Sequence, residues 1–455
     1  MITIIIFILL FLKLGKKETA NDALINFVNV LLFINLASGF FMQQEGKLFG
    51  DMFRTDELLT FEKNLLNLGT LIISLQSYNW LKEHKHVPEF YMLLLSTLLG
   101  MQFMISSNNL LMFYLALELS TIPLAALANF DLDKRRSSEA AFKMIISSAF
   151  SSGLLLFGIS MLYGTTGTLS FTEIPAQLNG SPLQIFSFIL LIAGFGFKIS
   201  AVPFHLWTAD VYEGSPVAVT SYLSVISKGA ILFVLVSVLY NVFSPMNDSW
   251  YNMLFLISVL TMIIGNLFAL RQQNMKRFLA FSSIAQVGFI LIGITGQSNE
   301  GSTSVIYFVL IYIFSNLAAF GVINLVSAVT GKENMDDYKG FYKTNPALSW
   351  VLAIALFSLA GIPPTAGFFG KFFLLLAGAG KGNYWLIGIA ALNMVVSLYY
   401  YLRVIKAMFM DANENPIAKV HAGLSPRIAM VICVAGIIVT GLASGAYHYI
   451  YSLVK

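Results

Sequence analysis

The chain alternates between long apolar runs and short polar segments from one end to the other. A run of about 20 apolar residues is long enough to cross a bilayer as an α-helix. Fourteen runs predict fourteen transmembrane helices, at 1–14, 23–42, 58–78, 89–106, 108–129, 139–163, 183–203, 215–241, 250–270, 276–296, 302–329, 346–379, 382–409 and 427–452. The first run is short and lacks the basic start and cleavage site of a signal peptide, so we interpret it as a tilted or abbreviated helix.

The composition supports this architecture. Of the 455 residues, 57% are hydrophobic and 11% are charged, whereas a soluble domain usually carries about 25% charged residues. A transmembrane β-barrel would show segments of about ten alternating residues, and this sequence contains no such segments. The predicted fold class is therefore an all-α polytopic membrane protein of about 14 transmembrane helices.

The lysines and arginines divide unevenly between the two faces of the membrane. Loops after odd-numbered spans contain eighteen of them: Lys13, Lys16, Lys17, Lys82, Lys85, Lys134, Arg135, Arg136, Arg271, Lys276, Arg277, Lys332, Lys339, Lys343, Arg403, Lys406, Lys419 and Arg427. The other face has four: Lys47, Arg54, Lys381 and Lys455. By the positive-inside rule, both termini should lie outside the cytoplasm. Topology also explains the net charge of +4, so a nucleic-acid partner is not needed.

The sequence offers few groups that could hold a cofactor. The single cysteine, Cys433, excludes an intramolecular disulfide and a cysteine-based metal cluster. The five histidines are scattered, and we interpret His84 and His86 as solvated residues of a polar loop. A glycine-rich nucleotide loop is absent from the sequence. We therefore predict no redox or metal cofactor in this chain.

Four ionisable residues lie well inside predicted spans: Glu118, Lys198, Lys228 and Lys371. A charge at the bilayer centre costs at least about 2.5–3.5 kcal/mol on insertion scales, and such residues are candidates for function by default. A static ion pair that holds helices together is the structural alternative. Two other lysines, Lys63 and Lys143, lie near span ends, from which a long side chain can reach the interface.

Prolines interrupt two of the spans close to these lysines. Lys198 precedes Pro203 and His205 in GFGFKISAVPFHLW, and Lys371 follows Pro363–Pro364 in LAGIPPTAGFFGK. Proline breaks the helical hydrogen-bond ladder, and broken helices at membrane depth are tolerated where they line a protected cavity. An ordinary kink explains either proline alone. Two breaks beside two lysines indicate an internal structural repeat with sites near the midplane.

A lysine beside a movable carboxylate can act as a proton switch. A nearby carboxylate favours the charged form of a lysine, and moving one charge through 100 mV is worth about 2.3 kcal/mol. Glu118 with Lys198 is thus a plausible switch, and Lys228 with Lys371 a plausible relay. Polar side chains that could hold connecting waters are Ser200, Tyr222, Ser224, Ser227, Ser315 and Asn316.

The motifs of the chain resemble a known family. They are LALELSTIP (115–123), SSEAAFKMIISSAFSSGLLLFGISMLYGTTGTL (137–169), FKISAVPFHLWTADVYEGSPVAVTSYLSVISKGA (197–230), RQQNMKRFLAFSSIAQVGFILIG (271–293) and LAGIPPTAGFFGKF (359–372). The sequence resembles the antiporter-like subunits of proton-pumping NADH–quinone oxidoreductase, respiratory complex I, and subunit N most of all. The resemblance extends from about residue 45 onward.

The resemblance implies two inverted five-helix repeats with broken helices 7 and 12. The implied divisions are residues 1–88 with helices 1–3, 89–241 as the first repeat, 250–409 as the second repeat, and 410–455 with helix 14.

The resemblance also implies roles for individual residues. Glu118 would be the carboxylate of the fifth helix, Lys198 the pumping lysine of the broken seventh, His205 and Lys228 central relay residues, and Lys371 the terminal lysine of the broken twelfth. One position departs from many relatives, because Gln286 stands where they have histidine. Glutamine forms hydrogen bonds but cannot hold an extra proton at neutral pH.

The function implied is that of a membrane-arm subunit that translocates protons. NAD, FMN, iron–sulfur clusters and quinone would then be bound by partner subunits, and neighbours would be other antiporter-like and small membrane subunits within the lipid bilayer. The expected location is the bacterial cell inner membrane. Alternatives are a subunit of a multisubunit cation/proton antiporter or of a related redox-linked membrane complex, and a purely structural scaffold.

Overall fold

The computed structural model describes residues 1–15, 20–41, 45–443 and 445–455. The N-terminal region contains α1 (Ile2–Leu14), α2 (Asn21–Phe41), α3 (Glu57–Gln76) and the short α4 (Tyr78–Lys82). A hairpin of β1 (Gly46–Leu48) and antiparallel β2 (Phe53–Thr55) precedes α3, with Leu48 opposite Phe53. Asp56 caps α3, since its side chain accepts from the Leu59 backbone N–H at 2.8 Å.

The middle of the chain is helical. Its elements are α5 (Val87–Ser106), α6 (Leu110–Ala128), α7 (Arg135–Thr166), α8 (Ile174–Gln177), α9 (Pro182–Ile199), α10 (Leu206–Gly214), α11 (Val217–Tyr222) and α12 (Lys228–Ser237). A π-helical segment, Leu223–Ser227, joins α11 to α12, and a second one, Val238–Val242, follows α12. These segments form one continuous crossing from 217 to 242.

The last part of the chain is built in the same way. Its α-helices are α13 (Asn247–Ala269), α14 (Met275–Thr295), α15 (Asn299–Thr330), α16 (Phe341–Thr344), α17 (Pro346–Ala360), α18 (Ala366–Ala379), α19 (Tyr384–Phe409), α20 (Leu424–Leu442) and α21 (Gly445–Val454). Short 3₁₀ turns lie at Ser244–Met246 and Met335–Tyr338.

The all-helical membrane fold is confirmed. Within the described residues, eleven crossings are long and apolar enough to span a membrane, and three shorter apolar helices accompany them. Each predicted span coincides with a helix or a pair of helices, but two boundaries were wrong. The seventh span ends at Gly214 instead of 203, because α10 continues it beyond the break. The fourteenth is divided between α20 and α21. The division into inverted repeats stays a prediction.

Successive crossings alternate in direction, so the loops gather at two ends of the bundle. At one end, Asn274 pairs with Asn334, and Arg136 forms an ion pair with Glu333 at 3.2 Å. We call this the basic end; its loops are 77–86, 129–134, 270–274, 331–345 and 410–423. At the opposite end, Phe53 pairs with Ser107. Of the eighteen basic residues assigned to one face, Lys16 and Lys17 lie outside the described residues.

The centre of the bundle is formed by α14 and α15. Both are buried all round along their spanning segments, which is the pattern of a core helix. In the outer helices α2, α13 and α19, only about one third of the residues in the spanning segment are buried. Polar side chains on the central helices are therefore shielded from lipid by the surrounding protein.

Both predicted breaks are present. The first lies at 200–205 between α9 and α10, and the second at 361–365 between α17 and α18. The first half-helix of each pair, α9 or α17, is followed by a residue in the left-handed backbone conformation: Ser200 with φ 64° and Gly361 with φ 85°. This conformation is common at helix C-termini. Gly367 lets α18 begin against α17, because a Cβ there would lie 1.7 Å from the Ser358 carbonyl oxygen.

Candidate functional site

Lys198 lies at the C-terminal end of the first half-helix, α9, next to the break. Its Nζ donates to Thr121 Oγ1 at 2.7 Å and to Ser148 Oγ at 2.9 Å. The side chain is half-buried. A cation at a helix C-terminus is favoured by the helix dipole, so hydroxyl groups and the half-helix together hold the ammonium group.

Glu118 lies on α6 one turn before Thr121 and is half-buried. Its carboxylate accepts a short hydrogen bond from Ser152 on α7. Glu118 and Lys198 thus lie on packed helices without forming an ion pair: their hydrogen bonds go to neighbouring hydroxyl groups. The predicted pairing of carboxylate and lysine is not a direct contact in this structure.

The first break exposes backbone groups inside the protein. The Val202 N–H donates to Thr261 Oγ1 on α13 at 3.0 Å. His205 precedes α10 and is 7% exposed. Among the described residues, the imidazole Nδ1 of His205 and the hydroxyl of Ser200 have no hydrogen-bond partner. The site therefore contains buried polar atoms that are open to a water or a proton carrier.

Lys228 lies at the centre of the bundle. It begins α12 directly after a π-helical segment, an irregularity that often occurs at functional sites. Its Nζ donates to Ser283 Oγ on α14 at 2.6 Å and lies 5.4 Å from the Tyr212 ring centroid. Lys228, Ser283, Gln286 and Tyr312 line a cavity of about 10 Å³, close to the space that one water requires.

Lys371 faces the end of the other half-helix. Its Nζ donates to the Leu359 carbonyl at 2.7 Å and to the Ala360 carbonyl at 3.3 Å. These carbonyls are free because α17 ends at Ala360. Gln286 Nε2 also donates to the Leu359 oxygen, at 3.0 Å. Lys371 and Gln286 are both 1% exposed, so the broken helix supplies the acceptors for a fully buried ammonium group.

Several polar side chains named from the sequence extend these contacts. Asn316 Nδ2 donates to Ser224 Oγ at 2.8 Å, and the Ser224 and Tyr312 hydroxyls are 3.3 Å apart. The hydroxyls of Ser315 and Ser358 are 2.7 Å apart. These contacts join α11–α12, α15 and α17.

The hydrogen bond of Tyr222 lies outside these contacts. Its hydroxyl accepts from Thr97 at 2.9 Å. For Ser227 the structure gives no contact that would place it in the network.

The three lysines share an unusual electrostatic environment. Within the part of the chain that the structure describes, none of their ammonium groups lies within 4.0 Å of a carboxylate oxygen. The alternative of static ion pairs that hold helices together is therefore wrong for Lys198, Lys228 and Lys371. Unpaired charges inside a membrane are costly, which favours a role that requires them to gain and lose protons.

The predicted residues form two groups. Lys228 bonds to Ser283, Lys371 and Gln286 bond to the Leu359 carbonyl, and Ser283 and Gln286 of α14 line the cavity at Lys228. Glu118 and Lys198 form a second group on α6, α7 and α9. His205 lies beside the break, and among the described residues its Nδ1 has no hydrogen-bond partner.

The sequence interpretation was wrong about one basic residue, Lys276. Lys276 was placed in a loop, but it is 1% exposed, and its Nζ lies 3.2 Å from Glu333 Oε1. Burial opposes ionisation of Glu333, yet the charges of Lys276 and Arg136 outweigh this effect and lower the pKa of Glu333 below its usual range. Lys143 lies near a span end, as predicted, and its partly exposed Nζ pairs with Asp210 and with Glu139, each at 2.7 Å.

The histidine loop also differs from its predicted state. His84 is only half-exposed and stacks on Phe130 with 4.7 Å between ring centroids. Burial lowers the pKa of His84. His86 is exposed, as predicted. Across the described residues, no cluster of three histidine, cysteine, aspartate or glutamate side chains could hold a metal ion.

Glu62 is the titratable residue that the sequence interpretation missed. It lies on α3 and is 5% exposed. The packing of α3 against the bundle buries it. The polar character of α3, which also carries buried Asn64 and Asn67, was the available signal.

Comparison with known sequences identifies the family. The family model described as "NADH:quinone oxidoreductase/Mrp antiporter, TM" matches residues 107–397. The NADH-quinone oxidoreductase subunit N of Phocaeicola vulgatus is 48% identical over 449 residues, 97% of this chain and 95% of that protein. The subunit N of Azobacteroides pseudotrichonymphae is 46% identical and covers 97% of this chain and 92% of its own.

Solved structures agree with the sequence comparison. A chain of respiratory complex I from Thermus thermophilus with bound aureothin has a TM-score of 0.84 and 28% identity, over 98% of this chain and 96% of that one. A chain of the Mrp complex from Dietzia sp. has a TM-score of 0.87 but 18% identity, over 100% and 95% of the two chains; at that identity the likeness concerns the fold alone. The matched family segment contains all five predicted site residues, and the chain belongs to the NADH:quinone oxidoreductase/Mrp antiporter family of membrane subunits, among the subunit N proteins.

Proposed function

We propose that this chain is the proton-translocating, antiporter-like subunit N of a membrane-bound NADH–quinone oxidoreductase. The observation that carries the proposal is the set of three lysines without ion pairs inside the membrane, each held by hydroxyl or carbonyl oxygens. NADH oxidation and quinone reduction take place in partner subunits, which bind NAD, FMN, iron–sulfur clusters and quinone. The chain lies among other membrane-arm subunits of the bacterial inner membrane, with its basic end in the cytoplasm and both termini outside.

The contacts suggest how each group acts. The Glu118 carboxylate gives up its hydrogen bond with Ser152 and moves towards the Lys198 ammonium group. The nearby negative charge then favours the charged form of the lysine. When the carboxylate withdraws, Thr121 and Ser148 alone hold the ammonium group, and it releases its proton more readily. Lys228 and Lys371 exchange protons by way of Ser283 and a water in the cavity beside Gln286. Gln286 orients this path by hydrogen bonding and carries no proton itself.

A subunit of a cation/proton antiporter is the second candidate. The family model includes Mrp antiporters, and the Dietzia Mrp chain shares the fold. The identity of 48% to a subunit N over nearly the whole chain, compared with 18% to the Mrp chain, favours the oxidoreductase.

The proposal is tested with the assembled protein from its native host. A C-terminal tag is used for gentle purification, and NADH oxidation and the co-purifying subunits are measured. We expect a large assembly with NADH-oxidising activity; elution with membrane subunits alone would favour the antiporter. In vesicles of that assembly, Lys228→Ala should reduce NADH-driven proton uptake, and unchanged pumping would contradict the relay.

A further inference from the structure

A polar cavity of about 440 Å³ lies at the opposite end of the bundle from the basic loops. It is bounded by the start of α3, the end of α12 with its π-helical extension, and the starts of α13 and α15. Its polar lining includes Arg54, Asp56, Glu62, Ser237, Tyr240 and Ser302. Such a cavity provides a water-accessible recess that penetrates the helix bundle from this end.

Glu62 lies at the buried side of this cavity and has no role in the relay described above. In the described residues its carboxylate forms no ion pair within 4.0 Å. A carboxylate that is 5% exposed and has no ion pair is costly, because burial removes the charged group from water. Water in the cavity gives this group a route to the aqueous phase.

The surroundings of Glu62 contain few other charges. Arg54 and Asp56 face the cavity from the segment before α3, and Lys63 is the next residue on α3. Tyr240 faces it from the segment after α12, but its hydroxyl donates to the Ile294 carbonyl at 2.8 Å. Arg54 Nη2 lies 3.4 Å from Ser237 Oγ. Glu62 is thus the buried carboxylate among these groups, and the cations nearby do not form a close pair with it.

A thin apolar layer separates this cavity from Lys228. Phe233 and Ile306 line the large cavity, whereas Leu232 and Val309, on the same two helices, line the small cavity at Lys228. Five residues of α-helix, the separation of Lys228 from Phe233, rise by about 7.5 Å. Apolar constrictions of this kind conduct only while they are wetted, so the layer can act as a gate.

We propose that this cavity is the proton exit of the chain and that Glu62 is the group that receives protons from Lys228. The inference rests on the proposed function. When water enters the apolar layer, the Lys228 ammonium loses a proton and becomes an amine, and the Glu62 carboxylate gains the proton and becomes a carboxylic acid. Glu62 then transfers the proton to cavity water and is again a carboxylate. No electron moves in either step.

The test compares three variants in the assembled oxidoreductase, reconstituted in vesicles. Glu62→Gln keeps the shape and polarity of the side chain but cannot carry the proton. Glu62→Asp keeps the carboxylate, and Glu57→Gln removes an exposed carboxylate from the same helix. Loss of a general acid–base group slows proton transfer by about a hundredfold or more. We expect fewer protons moved per NADH oxidised for Glu62→Gln, and near-normal values for the other two.

Full proton yield in assembled Glu62→Gln would overturn the exit assignment. Lys228→Ala, measured in parallel, separates the two proposals: normal pumping in both variants contradicts the proposed function, whereas a defect in Lys228→Ala alone contradicts only the exit.

A labelling experiment covers the case in which Glu62→Gln does not assemble. The single native cysteine of this chain, Cys433, is buried, so within this chain an introduced cysteine is labelled selectively, and the unmodified assembly treated in the same way shows any effect of labelling the partner subunits. Ser302→Cys lies in the cavity and Thr172→Cys on an exposed loop at the same end. A charged thiol reagent should lower the proton yield of the first variant and leave the second unchanged. An equal yield in labelled and unlabelled Ser302→Cys would contradict the exit.

Discussion

Lys371 and Gln286 donate to the same backbone oxygen, the carbonyl of Leu359, at 2.7 and 3.0 Å. The oxygen is available because helix α17 ends one residue later. Gln286 also lines the small cavity at Lys228. Gln286 therefore shares an acceptor with the terminal lysine and a cavity with the central one.

Replacing Gln286 with leucine should remove its hydrogen bond to the Leu359 carbonyl. Leucine is of similar size, so it fills the space without admitting water and without offering a donor or acceptor. Loss of a buried hydrogen-bonding group costs about 1–3 kcal/mol, and we expect proton yield through this chain to fall about tenfold. The measurement is the number of protons moved per NADH oxidised in vesicles.

The matched variant is Gln286→His. Its imidazole N–H can donate to the Leu359 carbonyl in place of the amide of glutamine. We expect it to pump at close to the normal yield. Normal pumping by Gln286→Leu would show that Lys228 and Lys371 communicate by another route.

Lys198 should depend on the two hydroxyl groups that hold it. The double variant Thr121→Val with Ser148→Ala removes both acceptors, at 2.7 and 2.9 Å. A buried ammonium without these partners is less stable by about 1–3 kcal/mol, and proton transfer should slow about tenfold. Proton uptake driven by NADH in vesicles is the readout.

Two controls accompany this variant. Thr121→Ser keeps the hydroxyl, and Ser160→Ala removes an exposed hydroxyl from α7; both should behave as the unmodified chain. If the double variant pumps normally, Lys198 does not need these acceptors.

The buried pair of Lys276 and Glu333 should stabilise the basic end in a pH-dependent manner. Glu333→Gln leaves a buried ammonium without its counter-charge, and breaking such a pair costs about 3–5 kcal/mol. The pKa of Glu333 is lower in the folded chain than its ordinary value of 4.5. The contribution of the carboxylate is therefore fully present above about pH 4.5, and it disappears as the pH falls through the lower folded value.

Thermal unfolding in detergent at several pH values measures this effect. Glu333→Gln should unfold at a lower temperature than the parent near neutral pH, and the difference should shrink in acid. Glu414→Gln, an exposed carboxylate at the same end, should show no difference. A gap between Glu333→Gln and the parent that persists at low pH would contradict the ion-pair explanation.

Gly367 should be indispensable for the second break. A methyl group there would lie 1.7 Å from the Ser358 carbonyl oxygen, so Gly367→Ala forces α17 and α18 apart. Overpacking of a well-packed site costs about 1–3 kcal/mol, or more. We expect lower thermal stability of the assembled protein and less of it in the membrane.

Gly388→Ala is the control, because a Cβ at that position meets no atom within 4 Å. Equal thermal stability of Gly367→Ala and Gly388→Ala would mean that α18 can shift away from α17 without destabilising the protein.

The helices and breaks followed from the sequence because their signals are local. Apolar runs of fixed length define crossings, and Pro203 and Pro363–Pro364 define where two of them stop. The hydrogen-bond partners of the buried lysines could not be predicted from the sequence. Leu359 contributes a backbone carbonyl, which side-chain chemistry cannot reveal, and Lys276 is buried only because a distant loop brings Glu333 to it. Likewise, the burial of Glu62 depends on which helices surround α3.

The polar character of α3 has a consequence for biogenesis. The side-chain amide of Gln76 donates to the Leu317 carbonyl at 2.9 Å, and the backbone carbonyl of Gln76 accepts from the Asn324 side chain at 3.0 Å. These partners lie as far as 248 residues further along the chain. While the ribosome is still translating the middle of the chain, these groups have no partner in the lipid, where unsatisfied polar groups are costly. We therefore expect these hydrogen bonds of α3 to form only after α15 has been synthesised, so that α3 reaches its final packing late.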